Sequence, residues 1–305
     1  GLLGRPPGID ESTKRKVHIM FQTHTGNKPL IAAHRGSCGG NIPPNTMAAM
    51  EAACRFGADI LEMDVARSRD GAYFLFHTGN EAFYLNLDAE FEQTDAAVLR
   101  ELPLNNDFRK PTQYHLALFD DVLEQFKGRC ILNLDRCWQY WDELIPLIDR
   151  HAMRDQILLK SPCREQWLRA YRELAQGYAY LPIVDDSCEG FLGGGFRRPE
   201  YIGAELVFDS EASAIVQNAI VEKLHRSGKL AWGNAIQFSS QKILSAGHTD
   251  DVSITASPEL GWGWLIEHGF DIIQTDWVLA LHTYLKTRNC ALPAETACDR
   301  METSE

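Results

Sequence analysis

Asp59-Ile60-Leu61-Glu62-Met63-Asp64-Val65, then Ser68-Arg69-Asp70-Gly71, then Tyr73-Phe74-Leu75-Phe76-His77: the fold is decided by how these three runs are read. The first has the composition of a buried strand but carries two carboxylates two residues apart. Strand side chains alternate between faces, so Glu62 and Asp64 share one side and Leu61, Met63 and Val65 the other. The gap to the third run is too short for a crossover helix, and Asp70-Gly71 is a hairpin signal. The run 73–77 is therefore expected as an extra or antiparallel strand beside 59–65.

Outward from this stretch, short apolar runs alternate with longer amphipathic ones. Further strand candidates lie at 30–34, 130–134, 156–160, 178–183, 205–208, 230–236 and 271–274. Helix candidates lie between most of them, at 46–56, 119–127, 138–151, 164–176, 212–227 and 258–268. Strands alternating with helical patterns predict βα units and a parallel sheet. With eight such strands left after the hairpin strand is set aside, the expected fold is a TIM-like (β/α)8 barrel with a short N-terminal extension and an extra hairpin strand. An open doubly wound sheet is the alternative, but Gly36, Gly39 and Gly40 do not have the spacing of its dinucleotide fingerprint. The Gly193-Gly194-Gly195 run lacks the ending of a phosphate-binding P-loop and reads as a flexible loop over the barrel mouth. Residues 1–28 read as a polar arm, 29–288 as the barrel and 289–305 as a tail.

The 305 residues carry a net charge of −12, with 45% hydrophobic and 24% charged residues, the balance of a soluble globular protein. So acidic a surface argues against a nucleic-acid partner, which needs a cationic patch. A small anionic substrate stays compatible, because one Arg or Lys reverses the potential inside a pocket. No apolar run approaches the length of a membrane-spanning helix. Eight cysteines are scattered with no CxxC pair, which suits a reducing compartment and makes a cytoplasmic location the expectation. A leader removed ahead of Gly1 is compatible with the same sequence. Nothing in the pattern fixes an oligomeric state.

In such a barrel the C-terminal strand ends carry the chemistry. The residues there are His34 and Arg35, Glu62 and Asp64, His77, Asn133 and Asp135, Lys160, and Asp276. Two inward carboxylates repel each other, and a hard divalent cation such as Mg²⁺ or Ca²⁺ relieves that repulsion. Asn133 or Asp135 can add a third oxygen, although Asp135 also suits a helix cap. His34 and His77 at one barrel end offer a general acid and base. Arg35 and Lys160 offer donors for phosphoryl oxygens, and Trp232 and Asn234 are expected to line the pocket. Asp276 is expected to orient Arg35 or cap the following helix. Glu205, Asp209, Asp185 and Asp186 read as solvent-facing.

The ordered set Ala33-His34-Arg35-Gly36, Pro44-Asn45-Thr46, Gly57-Ala58-Asp59, Glu62-Met63-Asp64-Val65, Asp70-Gly71 and Phe76-His77 resembles the signature of the glycerophosphodiester phosphodiesterases. Ile272-Ile273-Gln274-Thr275-Asp276 resembles the closing strand of that family. The resemblance implies a TIM barrel in which His34 and His77 are acid and base, Glu62 and Asp64 hold a divalent metal, and Arg35 grips phosphate. It also implies a phosphodiester substrate and a place in lipid metabolism. Three positions depart from the family pattern. Pro44 replaces a Glu, Thr78 replaces an Asp, and Asn133-x-Asp135 replaces a Glu-x-Lys. Lys160 on the next strand is the candidate to supply the missing lysine. The expected reaction is metal-dependent hydrolysis to a phosphomonoester and an alcohol. A lyase ending at a cyclic phosphate and a catalytically silent phosphodiester-binding barrel are the rival readings.

Overall fold

The structure, a computed structural model, describes residues 28–239 and 241–291. The expected arm at 1–28 and tail at 289–305 therefore lie, apart from Lys28 and the end of the last helix, outside the described residues. Among those residues the strands are β1 (Leu30–Ala33), β2 (Ile60–Arg67), β3 (Tyr73–Leu75), β4 (Pro103–Asn105), β5 (Pro111–His115), β6 (Ile131–Asp135), β7 (Ile157–Pro162), β8 (Ala179–Val184), β9 (Gly203–Leu206), β10 (Leu230–Asn234) and β11 (Ile272–Thr275).

β1, β2 and β6 to β11 pair in parallel, and β1 bonds both β2 and β11, which closes the ring into an eight-stranded barrel. β3 pairs antiparallel with β2 outside the ring, Val65 opposite Leu75 and Arg67 opposite Tyr73. The turn between them has Gly71 at φ +91°, and the Ser68 hydroxyl accepts from Ala72 N. The two-residue period of each strand sorts its side chains between barrel interior and helix layer. Leu61, Met63 and Val65 point outward into the layer that holds Phe119, Val122, Leu123 and Phe126. The lower interior is apolar, filled by Ala32, Ile60, Ile131, Leu158, Leu181 and Ile272 with the indole of Trp232. Two residues further along the same strands the interior turns polar, at Glu62, Asn133, Lys160, Asn234 and Gln274, all buried. Like a TIM barrel, the fold thus gathers its polar layer at the C-terminal strand ends.

Several expected helices are shorter or broken. Residues 212–227 form two, Ala214–Gln217 and Ile220–Arg226, split where Ala219 takes φ +49°. At 258–268 a wide turn, Glu259–Gly263, precedes Trp264–Glu267. The Gly193-Gly194-Gly195 run is not an open loop. It lies between the buried Phe191 and Phe196, and a Cβ at Gly195 would come 2.7 Å from the Gly190 carbonyl. Residues 78–118 hold elements the sequence pattern did not reveal: helices Glu81–Tyr84 and Ala96–Glu101 and the β4–β5 hairpin. They cover a separate apolar cluster of Phe74, Phe76, Phe91, Leu99, Leu104 and Leu116.

Candidate active site

The site begins where β1 runs out. Arg35 takes φ +55° and Gly36 φ +82°, and a side chain at Gly36 would press within 2.6 Å of the Ala49 backbone. Glycine is required there. The turn aims the Arg35 N–H at Glu62 Oε2 (2.9 Å) and sets the guanidinium Nε 2.8 Å from Asp64 Oδ2. Asn45 locks the same carboxylate: its Nδ2 donates to Asp64 Oδ2 at 2.9 Å, and its Oδ1 accepts from the Asp64 N–H at 3.1 Å. Thr46 caps helix Met47–Phe56 by accepting from Ala49 N, and donates to the Pro43 carbonyl. The Asn-Thr pair thus joins the loop to the carboxylate and the helix at once.

Glu62, Asp64 and Asp135 bring carboxylate oxygens within 4.8 Å of one another. Register explains this, because Asp64 stands opposite Asp135 and Glu62 opposite Asn133. The Lys160 ammonium lies 3.2 Å from Asp135, 3.2 Å from Glu205 and 3.8 Å from Glu62, with the Trp232 ring beneath it. Four carboxylates therefore face two fixed cations, Arg35 and Lys160, an excess that one divalent cation neutralises. All the donors are hard oxygens, the set Mg²⁺ and Ca²⁺ select. Asn133 Oδ1, fully buried on the Glu62 face, has no hydrogen-bond partner among the described residues and offers one more. The residues present fit such an ion.

Burial, with Lys160 opposing and Asp64 reinforcing, raises the Glu62 carboxyl to about 7. Burial also raises Asp64, but Arg35, His77, the Asn45 hydrogen bond and His34 outweigh it and hold it below the usual range. Without a bound cation, Glu62 thus holds its proton more tightly than an ordinary carboxyl, and cation binding competes with that proton. Apparent affinity for Mg²⁺ or Ca²⁺ should fall roughly tenfold per pH unit below about 7, with proton release detectable by calorimetry in buffers of different ionisation heat. An affinity flat from pH 8 to 5 would exclude Glu62 as a ligand.

The two histidines are pushed in opposite directions. His34 is nearly buried, and its Nδ1 lies 2.8 Å from Asp276 Oδ1. A carboxylate only accepts, so Nδ1 carries the proton in this contact. Burial lowers its proton affinity, but the Asp276 hydrogen bond and the Glu62 charge raise it above the ordinary 6.5. His77 follows β3 and is half-buried. Burial together with Arg35 and Arg136 outweighs Asp64 and lowers it below 6.5. The side-chain amide of Asn80 lies 2.9 Å from its Nδ1.

Not every expected residue has its expected part. Trp232 does not line an open pocket. It is fully buried, donates to Asn234 Oδ1 and Gln274 Oε1, and serves as the floor under Lys160. Lys160 is itself only 1% exposed, held against carboxylates rather than turned to solvent. Glu205 is not solvent-facing but buried, bonded to Lys160 and to Asn234 Nδ2. Asp276 orients His34 rather than Arg35. Phe238 was not singled out by the sequence pattern. Its exposed ring lies edge-on to His34 at 5.6 Å, and the Arg35 guanidinium lies 5.9 Å from its centre.

Comparison with known proteins adds three findings. The family model of the glycerophosphoryl diester phosphodiesterases matches residues 34–231, and that of a domain of unknown function matches 180–285. Lysophospholipase D GDPD3 of Mus musculus is 29% identical over 126 residues, 37% of this chain and 36% of that protein. The curated relatives matched are covered over 36%, 32% and 58% of their own length. A glycerophosphoryl diester phosphodiesterase structure from Parabacteroides distasonis superposes with a TM-score of 0.71 at 17% identity, over 89% of this chain and 91% of that one. A phosphodiesterase from Oleispira antarctica, in complex with the product sn-glycerol-3-phosphate, gives 0.61 at 19% identity over 85% and 97%.

Proposed function

Because the chain belongs to the glycerophosphoryl diester phosphodiesterase family, we propose that it hydrolyses a glycerol-type phosphodiester to a phosphomonoester and an alcohol. The observation that carries this reading is a carboxylate trio beside two imidazoles whose proton affinities are driven apart. Such a split supplies an acid and a base at one pH.

Glu62, Asp64 and Asp135 would hold Mg²⁺ or Ca²⁺, which supplies Lewis-acid polarisation of the phosphoryl oxygens and lowers the proton affinity of the attacking oxygen. His77, whose proton affinity burial lowers, takes a proton from the attacking water. The Asn80 amide Nδ2 lies 2.9 Å from His77 Nδ1 and donates to the His77 carbonyl at 3.2 Å, which holds the ring in place. His34, whose proton affinity is raised, gives its Nε2 proton to the leaving alkoxide while Asp276 steadies the ring. Arg35, its charge paired with Asp64, would offer its donor fork to the phosphoryl oxygens. Lys160 acts one step back, its charge set against Asp135 and Glu62 and opposing the rise that burial imposes on Glu62.

The test is a panel of glycerophosphodiesters and lysophospholipids with Mg²⁺, Ca²⁺ or EDTA, products read by phosphorus NMR. A phosphomonoester is expected, and chelation should remove several kcal/mol of transition-state stabilisation, at least about a hundredfold in rate. A cyclic phosphate as the end product would make the protein a lyase. Tight binding without turnover would make it a silent barrel.

A further inference from the structure

Asp276 is 43% exposed at its side chain, yet its carboxylate is held on His34 Nδ1. The constraint that keeps it there comes from below. Asp250 opens helix Asp250–Thr255, is 3% exposed, and finds no cation among the described residues. Its backbone N–H donates to the Ala235 carbonyl at 2.7 Å, which ties the helix start to the end of β10. Its carboxylate reaches back to the end of β11. Oδ1 accepts from Thr275 Oγ1 (2.7 Å) and from Trp262 Nε1 (2.6 Å), and Oδ2 accepts from the Asp276 N–H (2.8 Å). Thr275 Oγ1 in turn accepts from Trp277 N at 2.9 Å, and the Thr275 carbonyl accepts from His34 N at 3.1 Å. One buried carboxylate therefore fixes the peptide that carries both the backbone and the side-chain partner of His34.

We propose that Asp250 is a positioning residue for the reaction, clamping the Thr275–Asp276 peptide so that the Asp276 carboxylate stays on His34 Nδ1. The proposal rests on the acid role given to His34 above. Burying a carboxylate on neutral donors alone is costly. Burial indeed raises Asp250 to about 6 against the pull of Thr275, Trp262 and the Asp276 N–H. A fold that needed only a helix cap there has one already in Thr249, whose hydroxyl accepts from Val252 N.

Asp250→Asn keeps the volume but always sets an amide N–H against one of the three donors. Two readouts test the idea. The first is the downfield imidazole N–H resonance of His34, assigned by its loss in His34→Gln. It should be present in the wild type and lost in both Asp276→Asn and Asp250→Asn. The second is kinetic: Asp250→Asn should lower kcat roughly ten- to hundredfold with KM nearly unchanged. In an Asp276→Asn background the same substitution should cost little more, because both act through one contact. Should Asp250→Asn fail to fold, Thr275→Val removes a single donor to Asp250 and should weaken the same resonance. A wild-type resonance in the folded Asp250→Asn or Thr275→Val protein, or full additivity with Asp276→Asn, would overturn the proposal. The resonance is read whether or not any phosphodiester is cleaved, so a failure of the hydrolase reading shows in the kinetics alone.

Discussion

Alanine at His77 lowers kcat/KM toward every phosphodiester substrate by about 10³-fold, within the range general acid–base groups supply, and leaves the far-ultraviolet spectrum and melting temperature nearly unchanged. The loss is uniform because the proton His77 accepts belongs to the nucleophile, whatever group departs. His34→Ala behaves differently. With an alkyl leaving group it loses a similar factor, since an alkoxide cannot depart unprotonated. With an aryl phosphodiester, whose phenolate leaves without a proton, the loss shrinks toward tenfold or less. The wild-type pH profile of kcat/KM has the matching signs. His77 is depressed and must be neutral, so the acidic limb lies below 6.5. His34 is raised and must be protonated, so the alkaline limb lies above 6.5. Asp276→Asn removes the hydrogen bond that raises His34 and moves the alkaline limb down, leaving the acidic limb in place. A leaving-group effect confined to His77→Ala would exchange the two roles. Rates unchanged in both variants would end the assignment.

The positions of the two carboxylates and of His34 were legible because the local pattern alone places them. Glu62 and Asp64 alternate with Leu61, Met63 and Val65, and a two-residue period needs no partner strand to assign faces. His34 closes a strand of the parallel ring and so lies at its C-terminal end, whereas His77 closes the antiparallel β3, and only the β2–β3 register, with Phe76 N donating to the Asp64 carbonyl, sets it beside the carboxylates. Glu205 was not legible. A single acid in the four residues Gly203–Leu206 reads equally well as exposed, and only closure of the ring brings it to Lys160, 45 residues away. Asp276 was seen as a candidate but given the wrong partner, because His34 lies 242 residues distant and only the β1–β11 register sets which side chain it meets. Asp250 went unnoticed, since an acid after Thr249 reads as ordinary first-turn chemistry and its burial depends on Trp262 and Thr275 arriving from elsewhere. Residues 78–118 failed for a different reason. Helices of four and six residues are too short to show a period, and their shared cluster forms only against Phe74 and Phe76.

Lys160→Met destabilises the fold by about 3–5 kcal/mol, the usual cost of removing one partner from a buried charge network, and lowers the melting temperature on the order of 10 °C. The physical reason is the count of charges around it. Asp135, Glu205 and Glu62 lie within 3.8 Å of the ammonium, and the residue itself is 1% exposed, so water cannot replace it. Burial alone would strip its proton, but Asp135, Glu205 and Glu62 hold it above the ordinary 10.5, so the stabilisation is intact at neutral pH and fades only in strong alkali. In the variant Glu62, already raised by burial, loses the cation that opposed that rise. Its folded-state proton affinity climbs further above the unfolded value, so the native protein binds more protons than the unfolded one and stability increases as pH falls from 8 toward 5. Adding Glu205→Gln to Lys160→Met should recover part of the loss. Saturating Mg²⁺ or Ca²⁺ should stabilise Lys160→Met more than the wild type, because the ion and the ammonium neutralise the same oxygens. Urea unfolding at pH 5 and pH 8, with and without the divalent ion, reads all of these together. A Lys160→Met protein as stable as its parent at pH 8 would mean that the carboxylates are balanced by something other than this lysine, and the case for a cation between them would lose its electrostatic basis.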